Sequence, residues 1–103
     1  MSNPQFLVFS NPVEGREDEY NEWYDKVHLR DVCNVPGVAG AKRYELVPTG
    51  DETPAHSYLA VYDLDGDPNA VLAELMTRFG GPQMAMSEAL DMATIGMSVW
   101  QQR

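Results

Sequence analysis

Cysteine occurs once, at Cys33. A lone thiol closes no internal disulfide, so a cytoplasmic location is the natural expectation. Basic residues are also scarce: seven Lys and Arg stand against 16 Asp and Glu, for a formal net charge of −9. Nucleic-acid binding needs a basic patch to replace phosphate counterions, so no nucleic-acid partner is expected. An anionic membrane surface is disfavoured for the same reason. No apolar run is long enough to span a bilayer, and residues 1–4 carry neither the basic cluster nor the apolar stretch of a signal peptide. Zinc-type spacings of cysteine or histidine are missing. Gly80, Gly81 and Pro82 follow a helical pattern instead of opening one, which rules out a phosphate loop. Asp63, Asp65 and Asp67 read as a turn and a helix cap, not as a calcium loop. Neither a metal nor a cofactor is expected.

What is present is enough for one domain spanning residues 1–103 around a single core, with 44% hydrophobic residues. Residues 5–9 form a short apolar run that reads as a first strand, closed by Asn11 and Pro12. A helix is predicted from about residue 16 to residue 34. Glu17, Asp18 and Glu19 suit the positive end of its dipole, and Pro36 and Gly37 stop it. Residues 38–47 read as a second strand, and the polar stretch 48–54 as a link to a third strand at 57–64. Asp67 followed by Pro68 caps a second helix, with Val71, Leu72, Leu75, Met76 and Phe79 at helical spacing. Residues 84–91 read as a loop with a short helical turn, and 94–101 as a last strand.

The order βαββαβ predicts an α+β, ferredoxin-like sandwich: a four-stranded antiparallel sheet with two helices on one face. A sheet with one wet face should alternate apolar and polar residues. Phe6, Leu7, Val8 and Phe9 do not alternate, and Tyr58 to Tyr62 barely do. Both faces therefore read as covered, one by helices and the other by a second copy of the sheet. A face-to-face homodimer is expected.

The first helix carries the chemistry. At about 100° per residue, Tyr20, Trp23, Tyr24, Val27, His28, Asp31 and Val32 share one broad arc. Leu29 and Cys33 fall near the outer side. Histidine is the side chain best suited to proton transfer near neutral pH. His28 and Asp31 lie three residues apart, so the carboxylate is placed to orient the imidazole of a general acid or base. These two are the candidate catalytic residues. The plainer alternative is a structural His28 and a solvent-facing Asp31. Tyr20, Trp23, Tyr24, Tyr44, Met86 and Trp100 are the candidate substrate-binding residues, because amphipathic aromatics and adaptable methionine suit an apolar cavity with a few directed hydrogen bonds. Ordinary core and interface packing is the alternative for each.

Trp23, Tyr24, His28, Leu29, Asp31, Val32, Val35, Pro36 and Gly37, followed by a strand with Lys42, Arg43 and Tyr44, resemble the dimeric α+β barrel superfamily, above all its EthD-like and muconolactone-isomerase-like members. The strand from Tyr58 to Tyr62 and the segment from Met86 to Asp91 are similar as well. The resemblance implies a ferredoxin-like protomer, dimerisation through the sheet, and a pocket between sheet and helices. Members include cofactor-free isomerases, polyketide cyclases, quinone-forming monooxygenases and stress-responsive proteins. His28 matches the helix histidine of the methylmuconolactone isomerase branch. That branch also uses a strand cysteine, whereas Cys33 lies on the helix, and Tyr44 sits further past the Pro-Gly than that branch's strand tyrosine. The leading expectation is a cofactor-independent isomerase, cyclase or lyase acting on a small aromatic or lactone-like molecule through His28. The alternatives are a cofactor-free monooxygenase acting on a phenol, and a non-catalytic small-molecule-binding or stress-responsive dimer.

Overall fold

The computed structural model describes residues 3–51 and 54–103; Met1 and Ser2, and Glu52 and Thr53 of the expected 48–54 link, lie outside the described residues. Four strands, β1 (Gln5–Ser10), β2 (Val38–Glu45), β3 (Tyr58–Leu64) and β4 (Gly96–Trp100), form one antiparallel sheet in the order β2-β3-β1-β4. The connections carry the helices: α1 (Glu17–Trp23), a π-helical turn (Tyr24–His28) and α2 (Leu29–Cys33) between β1 and β2, and α3 (Pro68–Arg78) between β3 and β4. This is the expected ferredoxin-like arrangement.

Strand parity assigns the two faces of the sheet. Phe6 pairs with Tyr62, Val8 with Ala60 and Met97, and Ser10 with Tyr58. Phe6, Val8 and Tyr62 share a cavity with Tyr24 and His28 of the first helical run and Leu75 of α3. Both helical layers therefore cover the same face. The intervening residues Leu7, Phe9, Leu59 and Val61 point the other way because successive strand side chains alternate.

Local chemistry explains the element ends. The Asp67 side chain accepts from the Asn69 backbone N–H at 3.1 Å, and Pro68 opens α3. Asp91 accepts from the Ala93 N–H in the same way and starts a 3-10 turn at Met92–Thr94, so β4 begins at Gly96, two residues later than expected. Residues 84–91 form turns and extended chain without a helix. They are anchored by Met84, Ala89 and Leu90, all buried, and by Val13 N–H donating to the Ala89 carbonyl at 2.6 Å. Gly37 sits at φ 95°, where a Cβ would collide with Val71 of α3. The Pro36-Gly37 stop thus both ends the helical run and lets it meet α3 closely.

The first helix departs from its expected regularity. A π turn holds about one more residue than an α turn, so side chains beyond it lag roughly a quarter turn behind an ideal wheel. That lag turns Val32 to the centre of the buried face and brings Leu29 into packing with the core, instead of leaving it on the outer side. Among the described residues no helix is long and apolar enough to cross a membrane.

Candidate functional site

Between sheet and helices lies a cavity of about 20 Å³, lined by Phe6, Val8 and Tyr62 on the sheet side and by Tyr24, His28 and Leu75 on the helix side. Phe79, Met86 and Met97 also line it, and of these Met97 is largely exposed. The space fits one water molecule. A larger guest enters only if the flexible methionines and Phe79 move.

His28 ends the π turn and is only 5% exposed. Its ring stacks on Trp23, with centroids 4.4 Å apart, and meets the Tyr24 ring edge-on at 5.0 Å. Trp23 is itself held by Nε1–H donating to the Ala85 carbonyl at 3.0 Å. The imidazole is therefore rigidly seated, yet its Nδ1 is buried with no hydrogen-bond partner. Burial, helped by the nearby Arg43 charge, lowers its pKa to about 4. The ring is neutral at physiological pH.

Tyr62 is the second unsatisfied group. It is 1% exposed, and its hydroxyl makes no hydrogen bond of good geometry, although the Tyr24 hydroxyl lies near it. Burial pushes its ionisation well above the usual tyrosine range, and the neighbouring Tyr24 adds to this. Burial likewise lifts Tyr24 to about 12. Tyr20 is raised by burial too, against the opposing hydrogen bond of 2.6 Å with Ser10. All the titratable groups around the cavity resist charge.

The expected residues separate into three groups. Tyr24, His28 and Met86 line the cavity. Tyr20 and Trp23 are buried behind it and support it. Tyr44 and Trp100, expected at the pocket, do not line this cavity; Tyr44 lines a separate surface depression with Arg43 and Tyr58. Tyr44 pairs with Leu59 and Trp100 with Gln5, so strand alternation turns both away from the helices. They are 51% and 60% exposed, and the Trp100 indole N–H donates to Ser98 Oγ at 2.7 Å.

The expected pairing of Asp31 with His28 is not formed in the structure. The Asp31 carboxylate lies 3.7 Å from Arg30 Nε, and no hydrogen bond joins it to His28. The π turn rotates Asp31 to the edge of the buried face. Cys33 is half-buried, and burial raises its thiol pKa, the opposite of what a nucleophile requires. Among the described residues no cluster of three His, Cys, Asp or Glu is placed to hold a metal.

Arg43 was missed as a site-forming residue. It projects from β2 on the helix side, with its guanidinium 4.4 Å from the Tyr24 ring centroid, 5.2 Å from Tyr58 and 5.4 Å from Tyr20. It donates to Asp25 at 2.7 Å and to Asn21 at 2.9 Å. Asn21 in turn donates to the Tyr58 hydroxyl at 3.1 Å, and that hydroxyl donates to Glu45 at 3.1 Å. The sequence signal was a pair of adjacent cations, Lys42 and Arg43, in a strand opposite tyrosines, and which of the two faces the helices becomes readable only once strand parity is known.

No family model matches the chain, and no curated protein matches it. Among solved structures, an ethyl tert-butyl ether D (EthD) family protein from Bacillus halodurans matches over 100% of both chains, with a TM-score of 0.61 and 11% identity. The chain thus shares the ferredoxin-like fold of an EthD family protein along its whole length.

Proposed function

We propose that the protein is a cofactor-independent enzyme of the isomerase, cyclase or lyase type, in which His28 moves a proton on a small aromatic or lactone-like molecule held between sheet and helices. The observation that carries this reading is a rigidly stacked, neutral imidazole with a buried and unpartnered Nδ1 beside a cavity. An unprotonated imidazole accepts a proton at any physiological pH. Its low basicity in the empty site rises once the substrate carries a developing negative charge beside it. His28→Ala is expected to lower kcat/KM at least ~100-fold with the true substrate. An unchanged rate removes His28 from the mechanism.

A second reading, a non-catalytic small-molecule-binding or stress-responsive dimer, is favoured by the small volume of the cavity and by the absence of an orienting carboxylate on His28. Oxygen uptake with phenols would instead mark the monooxygenase alternative. Under each of these readings the other sheet face, with Leu7, Leu59, Val61, Tyr44 and Trp100, pairs with a second copy. Light scattering should then give twice the 11.5 kDa of one chain, and Val61→Asp should return it to one. A wild-type monomer at micromolar concentration defeats the dimer. The unpaired Cys33 fits a cytoplasmic setting.

A further inference from the structure

Among the described residues three buried side-chain polar atoms lack hydrogen-bond partners: Arg43 Nε, His28 Nδ1 and Tyr62 Oη; the last two belong to residues that line the same cavity of about 20 Å³. Buried polar groups are almost always paired, and leaving one unpaired costs about 1–3 kcal/mol. Two such groups at one small cavity mark a place where a guest atom belongs. The two are also complementary. A phenol O–H donates, while a neutral imidazole with its proton on Nε2 presents Nδ1 as an acceptor. The one small group that satisfies both is a hydroxyl, which accepts through its oxygen and donates through its hydrogen.

We infer that this cavity is a recognition site for a single neutral hydroxyl group, with Tyr62 Oη donating to its oxygen and His28 Nδ1 accepting its proton. The inference rests on reading the cavity as the functional site, and it names the ligand class: a phenol, an enol or an alicyclic alcohol with an apolar body. The volume of about 20 Å³ is also that of a site for one water, which would meet the same two partners. The ligand hydroxyl occupies that position, and its apolar body takes the place of the outer wall formed by Phe79, Met86 and Met97. Of the other polar groups lining the cavity, Ser10 is already engaged with Tyr20, and the Tyr24 hydroxyl lies near that of Tyr62 without a hydrogen bond of good geometry to it, so Tyr62 remains free to donate to a guest. No Lys or Arg lines the space to hold a carboxylate, so anions are disfavoured.

Phenol and toluene test this directly, because they differ by a hydroxyl for a methyl. Phenol is the better hydrated of the two, so an apolar cavity without partners would prefer toluene. A site with both partners should bind phenol at least about tenfold tighter, by calorimetry or by NMR titration of the whole chain. Tyr62→Phe removes one oxygen atom from the core. It should cut the phenol preference severalfold, leaving only the bond to His28, while toluene affinity stays put. Equal or reversed affinities, undetectable phenol binding, benzoate binding tightest, or a phenol preference undiminished by Tyr62→Phe would each overturn the inference. The outcome separates from that of the proposed activity. A preference weakened by Tyr62→Phe, together with turnover that survives His28→Ala, keeps the hydroxyl site and removes the proton transfer. Turnover that depends on His28, without any phenol preference, does the reverse.

Discussion

Acidification from pH 6.5 to pH 4 is expected to remove about 3 kcal/mol of stability through His28 alone. In the unfolded chain His28 takes up a proton near its ordinary value of 6.5, whereas in the folded protein it does so only near 4. Between those values the unfolded state binds the extra proton, so falling pH favours unfolding. The contribution is complete above pH 6.5 and is lost as pH falls through about 4, below which both states are protonated. A loss of this size is a large part of the 5–15 kcal/mol that holds a typical domain folded. Urea unfolding of the wild type and of His28→Phe across this range isolates the effect, because carboxylate contributions are common to both proteins and cancel in the difference. The wild-type profile should be steeper. Parallel profiles would mean that His28 is not desolvated. The sign is opposite on the alkaline side. Tyr24 ionises near 10 when unfolded and near 12 when folded, so rising pH erodes stability in that window.

The elements were readable in the sequence wherever chemistry is local. The Asp67-Pro68 cap, the Pro36-Gly37 stop and the apolar runs of β1 and β3 each declare themselves within a few residues. The βαββαβ order then leaves few sheet topologies to choose from. Burial of Tyr20, Trp23, Tyr24 and His28 followed from helical spacing. Three features did not follow. The π turn has no residue signature, and an ideal wheel carried past it misplaced Leu29 and paired Asp31 with His28. Tyr44 and Trp100 were given to the pocket because residue type was read without strand parity, and parity depends on a register that only pairing across the sheet supplies. Tyr62 reads in the sequence only as the end of an apolar strand, because its unsatisfied hydroxyl is a property of three-dimensional packing and has no trace in the sequence.

Arg43→Ala is expected to destabilise the protein by about 3–4 kcal/mol, although Arg43 was not among the expected site residues. The guanidinium fills the space between Tyr20, Tyr24 and Tyr58, and its side chain is 13% exposed. Cation–π contact with desolvated rings contributes about 2 kcal/mol, and the bond to Asn21 adds roughly 1 kcal/mol. The Asp25 carboxylate is 59% exposed, so that ion pair adds less, and Asp25→Asn should cost under about 1 kcal/mol. Arg43→Lys is not conservative here, because an ammonium cannot present a planar fork to Asp25 and Asn21 while lying against the rings. Chemical denaturation of the three variants should rank them Ala, Lys, then Asp25→Asn in order of damage. Equal small losses would show that the guanidinium is only a surface cation. The same substitution reaches the site. Arg43 is the second cause, after burial, of the lowered His28 pKa, and the Tyr24 ring lies against both residues. Replacing Arg43 with Leu keeps the apolar volume and removes the charge. His28 should then titrate above about 4 but still below 6.5 in an NMR pH series, because burial remains. A His28 that titrates at its ordinary value would show that opening of the core, and not loss of the charge, had set the change.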